Sequence, residues 1–94
     1  MNKEELISRV SNELGISKIR ATVGINKCLE IITEALGSGD KVILRGFGTF
    51  KPKQRAARIA RSPQTNEEIK IPARTVAVFT AGEELKKIME EINE

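Results

Sequence analysis

Leu6, Ile7, Val10 and Leu14 recur at helical spacing near the start of the chain. That period predicts an amphipathic helix over about 3–14, with Asn2 and Glu5 reading as a capping box and Gly15 as the stop. Ser17 caps a second helix, about 18–36, which Gly37 and Gly39 terminate. Its apolar positions, Ile19, Val23, Ile25, Cys28, Leu29, Ile31, Ile32, Ala35 and Leu36, surround much of the circumference. Such a helix is buried on more than one side. In so short a chain the second side is expected to meet another copy.

Beyond Asp40 the period changes from helical to extended. Lys41–Leu44 reads as a short strand, and Arg45–Phe50 turns the chain into the next one, with Gly46 and Gly48 permitting conformations or close approaches that a side chain would obstruct. Phe47 and Phe50 are expected in the core. From Thr49 to about Arg61 the chain stays extended. Strict alternation puts residues 51, 53, 55 and 61 on one face and Arg58 on the other, unless a bulge or strong twist realigns them. Ser62–Asn66 is turn chemistry, in which Pro presets φ and Asn tolerates a left-handed conformation. Glu67–Ala73 returns as a strand, Ile69 and Ile71 on one side and Glu68 and Lys70 on the other, with Pro72 suited to an edge or a bulge. Thr75–Phe79 is a further strand that rejoins the sheet. Thr80 with Glu83 reads as a second capping box for a closing helix over about 81–93, whose Leu85, Ile88, Met89 and Ile92 share a face. The fold class is therefore α+β: two N-terminal helices, a small antiparallel sheet with a long hairpin, and a short C-terminal helix.

Charge sharpens this picture. The net charge of +3 over 94 residues hides an asymmetry. Residues 1–40 carry five basic and six acidic side chains, residues 41–74 carry nine and two, and residues 75–94 carry two and five. Positive charge gathered in one third of the chain reads as a polyanion-binding surface. The segment Lys51–Arg74 holds Lys51, Lys53, Arg55, Arg58, Arg61, Lys70 and Arg74 against Glu67 and Glu68, with little that builds a core. Setting it aside leaves about 70 residues for the core, a size at which a partner chain often completes the interior.

Candidate chemistry narrows the function classes. There is no His, which removes the usual general base and metal ligand near neutral pH, and the single Cys28 has no zinc spacing around it. Adjacent Glu pairs fit solvated helix faces, and the glycines do not follow a phosphate-loop order. No catalytic residue, metal or cofactor is expected, nor a small-molecule substrate. The absence of Tyr and Trp argues against a platform for stacking single-stranded bases. No secretory signal or membrane span is read, and a lone cysteine fits a reducing compartment, so a cytoplasmic protein is expected. Lys and Arg on an extended hairpin neutralise phosphates with little regard to sequence. At the tip, Pro63 is either an ordinary turn former or an apolar wedge able to enter between base steps.

The ordered set Gly46-Phe-Gly-Thr-Phe50, Arg55-Ala-Ala-Arg58, Arg61-Ser-Pro63-Gln64-Thr65, Ile71-Pro-Ala73 and Phe79-x-x-Gly82-x-x-Leu85-Lys86 resembles the bacterial HU / integration host factor family along essentially the whole chain. The resemblance implies an intertwined dimer, with a helical body and two β-arms that embrace double-stranded DNA through the minor groove. It implies a single domain over 1–94: a helical dimerisation body over 1–40, sheet and arm over 41–79, and the C-terminal helix over 80–94. It further implies that Pro63 intercalates at kinks, that the arm's Arg and Lys residues line the groove with Ser62, Gln64 and Asn66 at the tip, and that Lys3 and Lys86 contact flanking phosphates. Ser62 and Asn66 stand where the family tip usually has Asn and Gly. Arg45 is similar to a residue of one integration-host-factor subunit. The expected function is a nucleoid-associated homodimer that bends and compacts DNA with low sequence specificity. The alternative is a site-preferring integration-host-factor-like subunit, paired with a related chain.

Overall fold

The structure, a computed structural model, describes residues 1–93; Glu94, the last residue of the expected 80–94 segment, lies outside them. Two compact units divide the chain, Met1–Glu34 and Ala35–Glu94.

In the first unit, α1 (Lys3–Leu14) starts where the Glu5 amide donates to Asn2 Oδ1 at 2.9 Å. It ends at Gly15, whose φ of 64° is the left-handed geometry that glycine adopts without strain. Ser17 Oγ accepts from the Arg20 amide at 3.1 Å and opens α2 (Lys18–Gly37). Among the described residues the buried apolar ones are Ile7 on α1 and Ala21 on α2, at 6% and 2% exposure. Leu29 and Ile31 of α2 remain 48% and 55% exposed, on opposite sides of the helix.

The second unit holds the strands β1 (Val42–Leu44), β2 (Gly48–Arg55), β3 (Arg58–Arg61), β4 (Glu68–Ile71) and β5 (Arg74–Ala81), followed by α3 (Glu83–Ile92). A three-stranded antiparallel sheet has the order β1-β2-β5, and β3 pairs with β4 in a separate two-stranded sheet. β1 covers only Gly48–Phe50 of β2, so from Lys51 to Arg55 the ladder is β2 with β5 alone. Gly48 is buried, and Phe50 and Phe79 rings meet at 4.9 Å.

Three expectations need correction. Phe47 is not a core residue of the single chain: its ring lies 5.2 Å from that of Phe79 yet stays 47% exposed, because it occupies the β1–β2 turn rather than a sheet face. No bulge realigns the arm. The strands break together instead, since Arg55 pairs with Arg74 and Arg58 with Ile71, leaving Ala56-Ala57 opposite Pro72-Ala73. A bulge needs unequal counts on the two strands, and here they are equal. Finally, Thr80 does not cap α3: it pairs with Thr49 in the ladder, and Gly82 takes the N-cap position with its amide donated to the Phe47 carbonyl.

Candidate nucleic-acid interface

The basic hairpin is built in two stages. In the first, register sets Lys51 opposite Val78, Lys53 opposite Val76 and Arg55 opposite Arg74. Directly opposed residues of an antiparallel pair share a face, so these cations form one exposed row beside half-buried valines. The valines suit the aliphatic stems of Lys51 and Lys53, leaving the ammonium groups in solvent. Arg55 and Arg74 are like charges in direct opposition, an arrangement that costs stability unless an anion lies between them.

The second stage, β3 with β4, is a four-residue ladder in which Arg58 faces Ile71, Ile59 faces Lys70, Ala60 faces Ile69 and Arg61 faces Glu68. Its two faces differ in chemistry. One carries Arg58, Ala60, Ile69 and Ile71; the other carries Ile59, Arg61, Glu68 and Lys70. The first face is apolar with a single flanking cation, Ile69 exposed and Ala60 and Ile71 half-buried.

The tip joins these strands through Pro63–Asn66. The Ser62 amide donates to the Glu67 carbonyl at 2.9 Å, and the Asn66 amide donates to the Ser62 carbonyl at 2.8 Å. Asn66 takes φ of 58°, a region in which Asn is tolerated far better than a branched residue. Pro63 is therefore the first residue past the last ladder bond, where its missing N–H forgoes nothing. It projects exposed at the end of the hairpin with Gln64 beside it.

The remaining expected contacts lie off the arm. Arg45 is exposed in the β1–β2 turn, next to Gly46, whose φ of 85° makes the bend. A Cβ on Gly46 would meet the Glu84 carboxylate at 3.1 Å, so that turn sits against the first turn of α3, the helix that carries exposed Lys86. Lys3 is the first residue of α1, in the other unit. The structure thus gathers Lys51, Lys53, Arg55, Arg58, Arg61, Ser62, Pro63, Gln64, Asn66, Lys70 and Arg74 on one hairpin. It leaves Lys3, Arg45 and Lys86 elsewhere. One feature was missed from sequence: Glu68 pairs with Arg61 across the strands. A turn read over 62–66 sets Arg61 opposite Glu67, so the pairing one residue further on came only with the observed register.

Among the described residues no cluster of His, Cys, Asp or Glu can hold a metal ion, and no helix is long and apolar enough to cross a membrane.

Comparison with known proteins gives a consistent result. Residues 1–90 match the family described as "Bacterial DNA-binding protein". "DNA-binding protein HU" of Geobacillus stearothermophilus is 51% identical over 86 residues, spanning 92% of this chain and 96% of that protein. The SPbeta prophage-derived "DNA-binding protein HU 2" of Bacillus subtilis is 48% identical over 86 residues, spanning 92% and 94%. Among solved structures, an Anabaena HU–DNA cocrystal structure superposes with a TM-score of 0.87 at 43% identity, covering 95% of this chain and 97% of that one. With the helix pair, the three-stranded sheet and the basic hairpin already in place, these likenesses show that the chain belongs to the bacterial DNA-binding protein family that includes HU.

Proposed function

We propose that this chain is an HU-type architectural protein that binds duplex DNA as a homodimer, enters the minor groove with paired arms and bends the duplex. The observation that carries this reading is the hairpin itself: a two-stranded ladder with a basic row, an apolar face and Pro63 at its end. A solved relative bound to DNA supports the ligand class. The matched relatives are named HU, which favours low sequence specificity over the site-preferring alternative. We read Pro63 as the wedge, the arm cations as phosphate contacts, and Lys3, Arg45 and Lys86 as contacts to flanking DNA. Residues 1–40 serve as the dimerisation body, 41–81 as sheet and arm, and Glu83–Ile92 as the closing helix. The role is binding without a catalytic step, at the nucleoid in the cytoplasm.

The homodimer rests on α2, where Val23, Leu29 and Ile31 are 62%, 48% and 55% exposed.

The test is a salt series of duplex affinity for the wild type and for Arg55→Gln/Arg58→Gln/Arg61→Gln. Each lost phosphate contact flattens the slope of log K against log salt by about 0.9. The wild type is expected to show a steep slope and the triple variant a shallower one with weaker binding. Wild-type affinity that is constant with salt, or unchanged in the triple variant, would overturn the reading.

A further inference from the structure

Glu68 is the one carboxylate of the arm that meets a cation. Register sets it directly opposite Arg61, and Arg61 Nη2 lies 3.8 Å from Glu68 Oε1, with the two side chains 63% and 62% exposed. Its sequence neighbour Glu67 lies outside the ladder and contributes a backbone carbonyl to the Ser62 amide. Lys70 follows on the same face, opposite Ile59, so Glu68 sits between a cation across the hairpin and another along its own strand. Only Arg61, however, is within ion-pair reach.

Two physical consequences follow for an arm that meets a polyanion. The Arg61 guanidinium is partly neutralised before any phosphate arrives. The carboxylate must also give up this pairing before Arg61 accepts a phosphate. The contact is single and long, between exposed groups, so it is weak enough to exchange.

We propose that Glu68 sets the affinity of the arm: it holds Arg61 in the free protein and releases it when a DNA phosphate takes its place. Duplex binding is thus an exchange of one anion for another at Arg61, and Glu68 holds affinity below what the arm's cations alone would reach. This rests on the DNA-binding reading above.

The test compares the full-length wild type, Glu68→Gln, Arg61→Gln and the double variant on one short labelled duplex across a salt series. Gln keeps the size and exposure of either side chain, and thermal unfolding of the four proteins checks that they fold alike. Glu68→Gln is expected to tighten binding about 1.4- to fivefold per arm, the range spanned by an exposed pair. It should also steepen the salt slope, because in the wild type the freed carboxylate takes up a cation that offsets counterion release at Arg61. In the Arg61→Gln background the same change is expected to do nothing. Unchanged or weaker binding by Glu68→Gln would overturn the proposal. So would an equal gain with Arg61 absent, because Glu68 would then act on phosphates directly. A wild type that ignores duplex defeats the DNA-binding reading itself, whereas normal wild-type binding with no response to Glu68→Gln defeats this proposal alone.

Discussion

A Cβ placed on Gly48 would lie 2.5 Å from Cζ of Phe79 and 2.6 Å from the Thr80 carbonyl oxygen. Real Cβ atoms do not sit so close, and the backbone oxygen belongs to the ladder that pairs Gly48 with Ala81. Gly48→Ala therefore forces the β2–β5 pairing apart, and we expect a loss of about 2–3 kcal/mol, as for other overpacked sites, read as a lower denaturation midpoint at fixed protein concentration. Asn66 is the opposite kind of position: open in space and constrained in φ, at 58°. Asn66→Gly should leave the tip closed, whereas Asn66→Val, branched in a left-handed conformation, should cost about 1–2 kcal/mol of hairpin closure. Hydrogen exchange at the Ser62 amide, which bonds to Glu67, reports this directly. That Gly48 permits a close approach and Asn66 a left-handed φ was legible from residue type alone. That Gly48 faces Phe79 was not, because the two meet only through a register set 31 positions apart in the chain.

At the scale of the element, the arm owes its two-stage form to Ala56-Ala57 standing opposite Pro72-Ala73. Pro72 has no N–H to donate to a ladder, and its own strand stops at Ile71. The outer ladder is four residue pairs long and lacks a third strand. A two-stranded hairpin of this kind has marginal stability alone, so its ordering is tied to its ligand. Pro63 stands past the last ladder bond, at the exposed end of the hairpin. We expect Pro63→Ala to reduce the bend far more than the affinity, since phosphate contacts carry most of the binding and the wedge pays for unstacking. Fluorescence transfer between the ends of a labelled duplex measures this, and equal bend angles for the two proteins would count against the wedge. Alternation along the strands already put Ile69 and Ile71 on one side and Glu68 and Lys70 on the other. The faces of β3 were open until the paired break was seen, because a bulge on one strand would have inverted them.

At the scale of the molecule, the buried apolar residues among those described are few, Ile7 and Ala21, and many large apolar side chains stay exposed. A chain in this state gains most of its stability from association, so folding and dimerisation are one equilibrium. The midpoint of thermal unfolding should rise with protein concentration, and Ile31→Glu, which puts a charge on the exposed apolar side of α2, should lower it steeply at low concentration. A midpoint independent of concentration would indicate a stable monomer.

The sequence by itself determined the local elements, because caps, glycines and hydrophobic period act over a few residues: Asn2, Gly15 and Ser17 stand at the ends they predict. It also determined the class of partner, because charge counts need no coordinates. Only the tertiary structure decided which strand residues oppose one another, and with that the Arg55–Arg74 and Arg61–Glu68 pairs, the demotion of Thr80 from cap to ladder and the exposure of Phe47. The physical reason is common to all four. Each depends on what long-range packing brings alongside a residue, and a strand's pattern of period two is compatible with more than one partner until the turn and the ladder choose between them.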